Sequence, residues 1–362
     1  MIRLVEPYIR FEEVQHELEQ IFSSGILTKG PFVQQFTDSL KQYVGARHSF
    51  LTTSGTTALS TCLRLVNIQP GDEVIVSDFS FPATANVVEE LGAKPIFADV
   101  DLDTFNMLPE ELEKQITPKT KAVIFVDALG NPTGIHQIKQ MCDHYQLPLI
   151  DDAACALGSS ENGVKSGKIA DLTCFSFHPR KLLTTGEGGA IVTDSDRWSS
   201  WLERKLNHGA VPANGQLDFV DYGYNYRLPD IQALMGLKQL QKLDSIVKRR
   251  NQLKETYRQL LEPLGFTNQK IADNVIHNVQ SAVFKIPEQV KLGSLIAYLR
   301  EHKIESTFGT YCLSATSYYQ RKYGQTKQNA RYLQEHTLAL PCHDQVKAEE
   351  VAAVIESYMN LL

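Results

Sequence analysis

The 362-residue sequence contains no apolar run of the ~18–20 residues that a membrane-spanning helix needs, so no span is expected. Cysteine is sparse. The six cysteines, at positions 62, 142, 155, 174, 312 and 342, include no Cys-x-x-Cys pair, which argues against a disulfide framework and against a zinc site. A reducing cytoplasm is the simplest setting for them. Charge of one sign is also lacking: 36 Lys and Arg against 42 Asp and Glu leave a net charge of −6, with no bulk basis for binding nucleic acid. A small local basic cluster for an anionic metabolite remains compatible with that balance. Glu6 and Pro7 stand where a secretory signal needs an apolar stretch. No Gly-x-Gly-x-x-Gly follows an early strand and no Gly-Lys-Ser/Thr closes a glycine-rich loop, so neither a nicotinamide fingerprint nor a Walker A loop is present. The 22 glycines and 15 prolines are scattered, and no repeat of fixed period appears.

What is present is ordinary globular material, 43% hydrophobic and 22% charged, enough for one large or two modest domains. Phe11, Val14, Leu18, Ile21 and Phe22 recur at helical spacing before Gly25, and Val33, Phe36, Leu40 and Val44 before Gly45. From residue 50 to about 195 the texture changes to short runs rich in Val, Ile and Phe. The runs Glu73–Val76, Pro95–Ala98, Ala122–Val126, Leu147–Ile150, Leu172–Phe177 and Ala190–Thr193 read as strands, several continuously apolar, as strands buried on both faces are. Helical segments such as Ala83–Leu91 and Ile138–Tyr145 lie between them. The pattern predicts an α/β fold around a mostly parallel sheet. A long helix is expected from Pro229, broken on its way toward Leu261. Beyond about 265, a strand at Ser281–Ile286, a helix at Leu295–His302 and a closing amphipathic helix predict a smaller α+β domain. The expected division is residues 1–240 and 241–362.

Three segments follow strands, where parallel sheets build their ligand crevice. Thr53-Ser54-Gly55-Thr56-Thr57-Ala58-Leu59 offers backbone N–H groups, hydroxyls and the positive end of a helix dipole, a cradle for phosphate, although alone it is equally an N-capped helix. Leu149-Ile150-Asp151-Asp152 ends an apolar strand in two acids, at least one of which faces the crevice and needs a positive partner. Phe175 to Gly189 ends a strand, passes through Arg180 and Lys181, and continues as Gly-Glu-Gly-Gly into another strand. Apolar neighbours and an adjacent cation favour a nucleophilic amine at Lys181, while a snorkelling surface lysine is the plain alternative. A phosphate cradle, an acid for a ring nitrogen and a loop lysine for an aldehyde are together what pyridoxal phosphate requires.

The chain resembles the DegT/StrS family of sugar aminotransferases, within the fold type I, aspartate aminotransferase-like, pyridoxal-phosphate enzymes. The resemblance rests on an ordered series: Leu27-Thr28-Lys29-Gly30-Pro31, the turn at Ser54–Leu59, Gly71-Asp72-Glu73-Val74, Phe81-Pro82-Ala83-Thr84-Ala85-Asn86, Gly130-Asn131-Pro132, Asp152-Ala153-Ala154, Ser176–Gly189, Asn207-His208-Gly209 and Gly223-Tyr224-Asn225-Tyr226-Arg227. The resemblance implies that Lys181 holds the cofactor as a Schiff base and shuttles the proton. It implies that Asp152 bonds the pyridine N–H, that Phe81 stacks on the ring, and that Gly55, Thr56, Thr57 and Ser176 hold the phosphate. Asn225 would reach the phosphate bound by the other chain of a homodimer, giving shared active sites. His178 is open between substrate contact and loop packing, and Arg180 and Arg227 are candidates for anionic substrate groups. Cys155 stands beside the cofactor where the family usually has glutamine, Thr37 where glutamate is frequent and Leu157 where histidine is frequent. The implied reaction is amino transfer from L-glutamate to a nucleotide-linked keto sugar, feeding amino-sugar and surface polysaccharide biosynthesis, with no metal. Lys181 speaks against the dehydratases of this family, which carry histidine there. Another carbonyl acceptor, or a regulatory protein that keeps the cofactor without catalysis, stays open on the residues alone.

Overall fold

A computed structural model describes all 362 residues. Two helices open the chain, α1 (Gln15–Ser24) and α2 (Pro31–Val44), and the glycines that end them, Gly25 and Gly45, adopt left-handed φ of 68° and 78°. That conformation lets the chain reverse without a Cβ clash. Then come β1 (His48–Thr52), α3 (Gly55–Leu65), β2 (Glu73–Ser77), α4 (Ala83–Glu90), β3 (Lys94–Ala98), α5 (Pro109–Gln115) and β4 (Thr120–Val126). The large sheet is completed by β5 (Leu149–Asp152) after α6 (Ile135–His144), by β6 (Leu172–Ser176) and by β7 (Gly189–Thr193), which leads into α7 (Asp196–Lys205).

The sheet order is β1-β7-β6-β5-β4-β2-β3. Five neighbours, β3, β2, β4, β5 and β6, run parallel, and β7 lies antiparallel between β6 and β1. Alternation along the strands sorts their side chains between two cores. Val74, Val76, Ala122, Ile124, Ile150, Leu172, Cys174 and Ile191 pack with α3 and α4. On the other face Ile75, Val123, Phe125 and Leu149 pack with α5 and α6, while Leu51, Phe175, Ala190 and Val192 pack with α2 and the later helix α8 (Asp230–Leu240). With both faces covered, the continuous apolar runs of the sequence are explained.

Helix α9 (Leu243–Leu261) follows α8 after a break at Gln241 and Lys242. Its first half (Leu243, Ile246, Val247) joins the core around α2 and α8, and its second (Tyr257, Leu261) joins a separate core. That core is built on a four-stranded antiparallel sheet in the order β8 (Thr267–Asn268), β9 (Ala282–Lys285), β11 (Thr337–Leu340), β10 (Thr307–Phe308), covered by α10 (Leu292–Glu301) and the closing helix α11 (Ala348–Met359). The extreme N-terminus is tied there as well, through the bridge of Ile2 to Ile304.

Two local expectations shift. The strand read at Leu147–Ile150 lies two residues later and contains both acids. The strand β1 is absent from the sequence reading: its five residues include His48, Ser49 and Thr52, and only β7 pairs with it, so it carries no apolar run.

Candidate active site

Residue alternation decides which acid faces the crevice. Asp152 shares the face of Ile150, toward α3 and α4, and Asp151 shares that of Leu149, on the opposite side. Ser176, two residues beyond Cys174 on β6, projects on the same side as Asp152. The parallel register pairs Asp152 with Cys174, which sets these two strand ends side by side.

Asp152 is buried and is held through both carboxylate oxygens. Thr84 Oγ1 donates to Oδ2 at 2.7 Å and the Ala154 N–H to Oδ1 at 3.3 Å. Thr84 is itself paired with Ser80 Oγ at 2.8 Å. Burial pushes the Asp152 carboxyl above the ordinary range, opposed by the Thr84 bond and the positive charge of Lys181. A protonated ring nitrogen against this carboxylate would supply the charge that burial has removed. Asp151 is fully buried with neither oxygen bonded, and burial together with Asp127 and Asp152 drives its carboxyl well upward.

The turn into α3 forms the second part. Ser54 caps the helix: its side chain accepts from the Thr57 N–H at 3.1 Å while Thr57 Oγ1 accepts from the Ser54 N–H at 3.1 Å. That box uses the donors at Ser54 and Thr57. The first-turn N–H groups of Gly55 and Thr56 have no acceptor within the helix and face outward beside the positive end of its dipole. Glycine is required here by proximity. A Cβ on Gly55 would sit 2.9 Å from the Ser176 Cβ, and one on Gly189 would sit 2.5 Å from the Ser54 carbonyl. The turn, Ser176 and the start of β7 therefore close around one small space.

Lys181 supplies the third part. Its Nζ donates to Cys155 Sγ at 3.0 Å and forms no ion pair. The backbone on either side is clamped by Gln280, a buried residue that distance in sequence hid from the sequence reading. Gln280 Oε1 accepts from the Leu182 N–H at 2.8 Å, and Nε2 donates to the Arg180 carbonyl at 2.6 Å. Gln280 follows Val279, a β-branched residue at φ 54°, where strain is expected. Arg250 holds that conformation by donating to the Val279 carbonyl at 2.7 Å and the Gln280 carbonyl at 2.9 Å. Cys155 is fixed too, its carbonyl accepting from Asn278 Nδ2 at 2.8 Å.

The remaining candidates are dispersed. His178 is half-buried, its Nδ1 accepting from the Arg180 N–H at 3.2 Å, and burial holds its imidazole below the ordinary range. Arg180 is exposed. Phe81 is 64% exposed at the head of α4, its ring edge-on to Tyr311. Asn225 is exposed and bridges to Asn207, and Arg227 lies beside that bridge, 3.5 Å from Asn207 Oδ1. Thr84, Ser80 and Gln280 belong to the site and were missed, although Thr84 falls within a segment quoted for the resemblance.

These residues fit pyridoxal phosphate. A buried acid awaits a cation, open N–H donors sit in a space with no room for a Cβ, and an amine carries no competing carboxylate. Residues 9–359 match the model of the DegT/DnrJ/EryC1/StrS aminotransferase family. The chain is 33% identical to the spore coat polysaccharide biosynthesis protein SpsC of Bacillus subtilis, over 98% of this chain and 96% of that one. It is 30% identical to a GDP-perosamine synthase of Vibrio cholerae over the full length of both. Among solved structures, Spr1654 of Streptococcus pneumoniae in its apo form superposes with a TM-score of 0.92 at 27% identity, covering 99% of this chain and 96% of that one. The same protein in its PMP and PLP forms superposes at 0.91 and 0.90.

Proposed function

Because the chain belongs to the DegT/DnrJ/EryC1/StrS aminotransferase family and is a pyridoxal-phosphate-dependent aminotransferase, we propose that it passes an amino group from L-glutamate to a nucleotide-linked keto sugar. The observation that carries this reading is the gathering of Lys181, Asp152 and the α3 turn at one set of strand ends, in a chain similar along its whole length to a GDP-perosamine synthase. The similarity to SpsC supports a product destined for a surface polysaccharide.

Bound pyridoxal phosphate supplies an electron sink for the carbon that loses and regains a proton. The chain supplies the rest. Lys181 Nζ, which carries no competing carboxylate, would hold the cofactor covalently and would serve as base and acid at the substrate carbon. Asp152 keeps the ring nitrogen protonated through its carboxylate, and Thr84 keeps that carboxylate oriented. The N–H groups of Gly55 and Thr56, with the hydroxyl of Ser176, would orient the phosphate, while the Thr57 hydroxyl, expected to join them, is held in the capping box and donates to the Ser54 carbonyl at 2.9 Å. Cys155 presents a thiol beside Lys181 where an amide would otherwise stand, and Phe81 offers its exposed ring as a stacking face.

We place the enzyme in the cytoplasm as a homodimer with shared sites. Asn225 and the apolar side chains of Leu217, Phe219, Val220 and Tyr222 are exposed on one stretch of chain, as expected of a surface covered by a second copy. The test of the reading is a two-stage assay. L-glutamate converts bound cofactor to its amine form, and nucleotide keto sugars are then screened for return of the aldehyde spectrum. Return with a simple keto acid and with no nucleotide sugar would overturn the acceptor assignment.

A further inference from the structure

We propose that Cys155 and Lys181 form a peroxide-sensitive pair, in which oxidation joins Cys155 Sγ to Lys181 Nζ through a reversible sulfur–nitrogen bond. Cys155 is half-buried, whereas the other five cysteines are buried. Its sulfur lies 3.0 Å from Lys181 Nζ, which has no other hydrogen-bond partner and no ion pair. A partly exposed thiol set against a cation is the environment in which cysteines meet oxidants. The chain has one other close thiol contact, Cys62 to Cys174 at 3.4 Å. Both of those residues are buried, and burial pushes the Cys174 thiol well upward, which leaves that pair inert.

One short segment holds both members of the pair in place. Asn278 Nδ2 donates to the Cys155 carbonyl at 2.8 Å and to the Leu157 carbonyl at 2.9 Å. Gln280 spans the Leu182 N–H and the Arg180 carbonyl on either side of Lys181. The two clamps are tied to each other, because Asn278 Oδ1 accepts from the Gln280 N–H at 2.9 Å. Asn278 is buried, so water does not compete for these bonds. The backbones at 155 and 181 are thus fixed relative to one another. Only side chains need to move for the contact to close to a covalent bond, and the lysine stem is flexible.

The step balances with a peroxide as the sole co-reactant. The sulfur of Cys155, as thiolate, attacks one peroxide oxygen, the O–O bond breaks, and a sulfenic acid and hydroxide form. The hydroxide takes a proton from the Lys181 ammonium, giving water and a neutral amine. The amine lone pair then attacks the sulfenic sulfur, the S–O bond breaks, and the hydroxyl leaves as a second water with a proton from the nitrogen. Sulfur gives up the electron pair that the peroxide gains. Condensation of a sulfenic acid with a nearby nitrogen is an established branch of cysteine oxidation. A small thiol in excess cleaves the bond, restores the thiol and the amine, and leaves as its own disulfide. The consequence for catalysis rests on the reading of Lys181 as the amine that holds the cofactor. A joined nitrogen cannot take the cofactor, and a nitrogen that already holds it cannot be joined. Peroxide therefore blocks the protein while Lys181 is free and spares it while the cofactor is attached.

The test is hydrogen peroxide treatment of the full chain, with and without saturating pyridoxal phosphate, followed by digestion without reductant and mass spectrometry. In cofactor-free protein the expected product is a pair of peptides joined between Cys155 and Lys181, lighter than their sum by two hydrogens and separated by dithiothreitol. Cys155→Ser should give no joined pair. Lys181→Arg, which keeps a cation beside the sulfur, should give Cys155 carrying oxygen and no link. Wild-type Cys155 carrying oxygen with Lys181 free, joined peptides that retain an oxygen between them, or a thiol and amine both unchanged at a dose that oxidises free cysteine would each overturn the proposal. The readout is a mass, independent of turnover. A link that forms equally with and without cofactor would count against Lys181 as the cofactor-holding amine and leave the sulfur–nitrogen bond standing, so the two failures are distinguishable.

Discussion

Replacing Thr84 by valine tests how the acid of the site is held. The substitution keeps the β-branched shape and removes the hydroxyl that lies 2.7 Å from Asp152 Oδ2 and 2.8 Å from Ser80 Oγ. Thr84, Ser80 and Asp152 are all buried, so water does not replace the lost bond. A hydrogen bond to a charged group contributes about 1.5–3 kcal/mol, and about 2 kcal/mol is expected here. At about 2 °C per kcal/mol for a chain larger than a small domain, the melting temperature should fall by roughly 4 °C near neutral pH. The sign with pH follows from the carboxyl. Burial already raises it in the folded state, and losing the Thr84 donor raises it further. The cost is therefore greatest where Asp152 is ionised and shrinks as pH falls and the carboxyl takes up its proton. Affinity for pyridoxal phosphate should fall as well, because a carboxyl pushed further upward by loss of the Thr84 donor is a poorer partner for a protonated ring nitrogen. The assay is thermal unfolding of both proteins from about pH 4 to about pH 8, with a cofactor titration followed by visible absorbance. Equal melting temperatures across that range, or a deficit that does not change with pH, would refute the reasoning.

Further outcomes follow from the same geometry. Gly55→Ala places a Cβ 2.9 Å from that of Ser176, so it should cost about 1–3 kcal/mol of stability and weaken cofactor binding; unchanged affinity in a titration would remove the turn from the cradle. Gln280→Ala leaves the Leu182 N–H and the Arg180 carbonyl unpaired beside Lys181. It should lower the rate of the glutamate half-reaction more than the affinity for glutamate, measured by stopped-flow absorbance. Burial, with Glu161 and Asp152 nearby, pushes the Asp127 carboxyl up to about 7, so its charge destabilises the fold increasingly as pH rises from about 4 through about 7. The stability of Asp127→Asn relative to wild type should rise over that interval in urea unfolding, and a flat difference would contradict it. Mixed dimers of Lys181→Ala with Asn225→Ala should recover activity that neither variant shows alone, because one of their two sites is intact; no recovery would contradict shared sites.

Much of this site could be read in the sequence because its parts are local. The α3 turn, the Asp-Asp strand end and the lysine loop are each contiguous, and each follows a strand in a parallel sheet, where a crevice is expected. The residues alone leave Asp151 and Asp152 open, the resemblance points to Asp152, and the limits of β5 supply the physical reason. Alternation sets Asp152 on the face of Ile150 and Asp151 on that of Leu149, and the structure adds that the strand continues through both acids and that the Ile150 face meets α3 and α4. Thr84 and Gln280 lie 68 and 98 residues from Asp152 and Leu182, the groups they hold, and no spacing rule links residues so far apart. Strand β1 escaped for a different reason. It is an edge strand whose polar residues His48 and Ser49 turn toward a cavity. Arg227 was singled out for an anionic group, and it lies in that cavity, apart from Lys181.

The measurement that bears most directly on the account is the site of covalent attachment of the cofactor. Protein loaded with pyridoxal phosphate is reduced with borohydride, digested and mapped by mass spectrometry. The account predicts a single pyridoxyl-modified peptide carrying its label on Lys181, absent from Lys181→Ala. A label on a different lysine, or protein that stays unmodified and colourless at saturating cofactor, would contradict it.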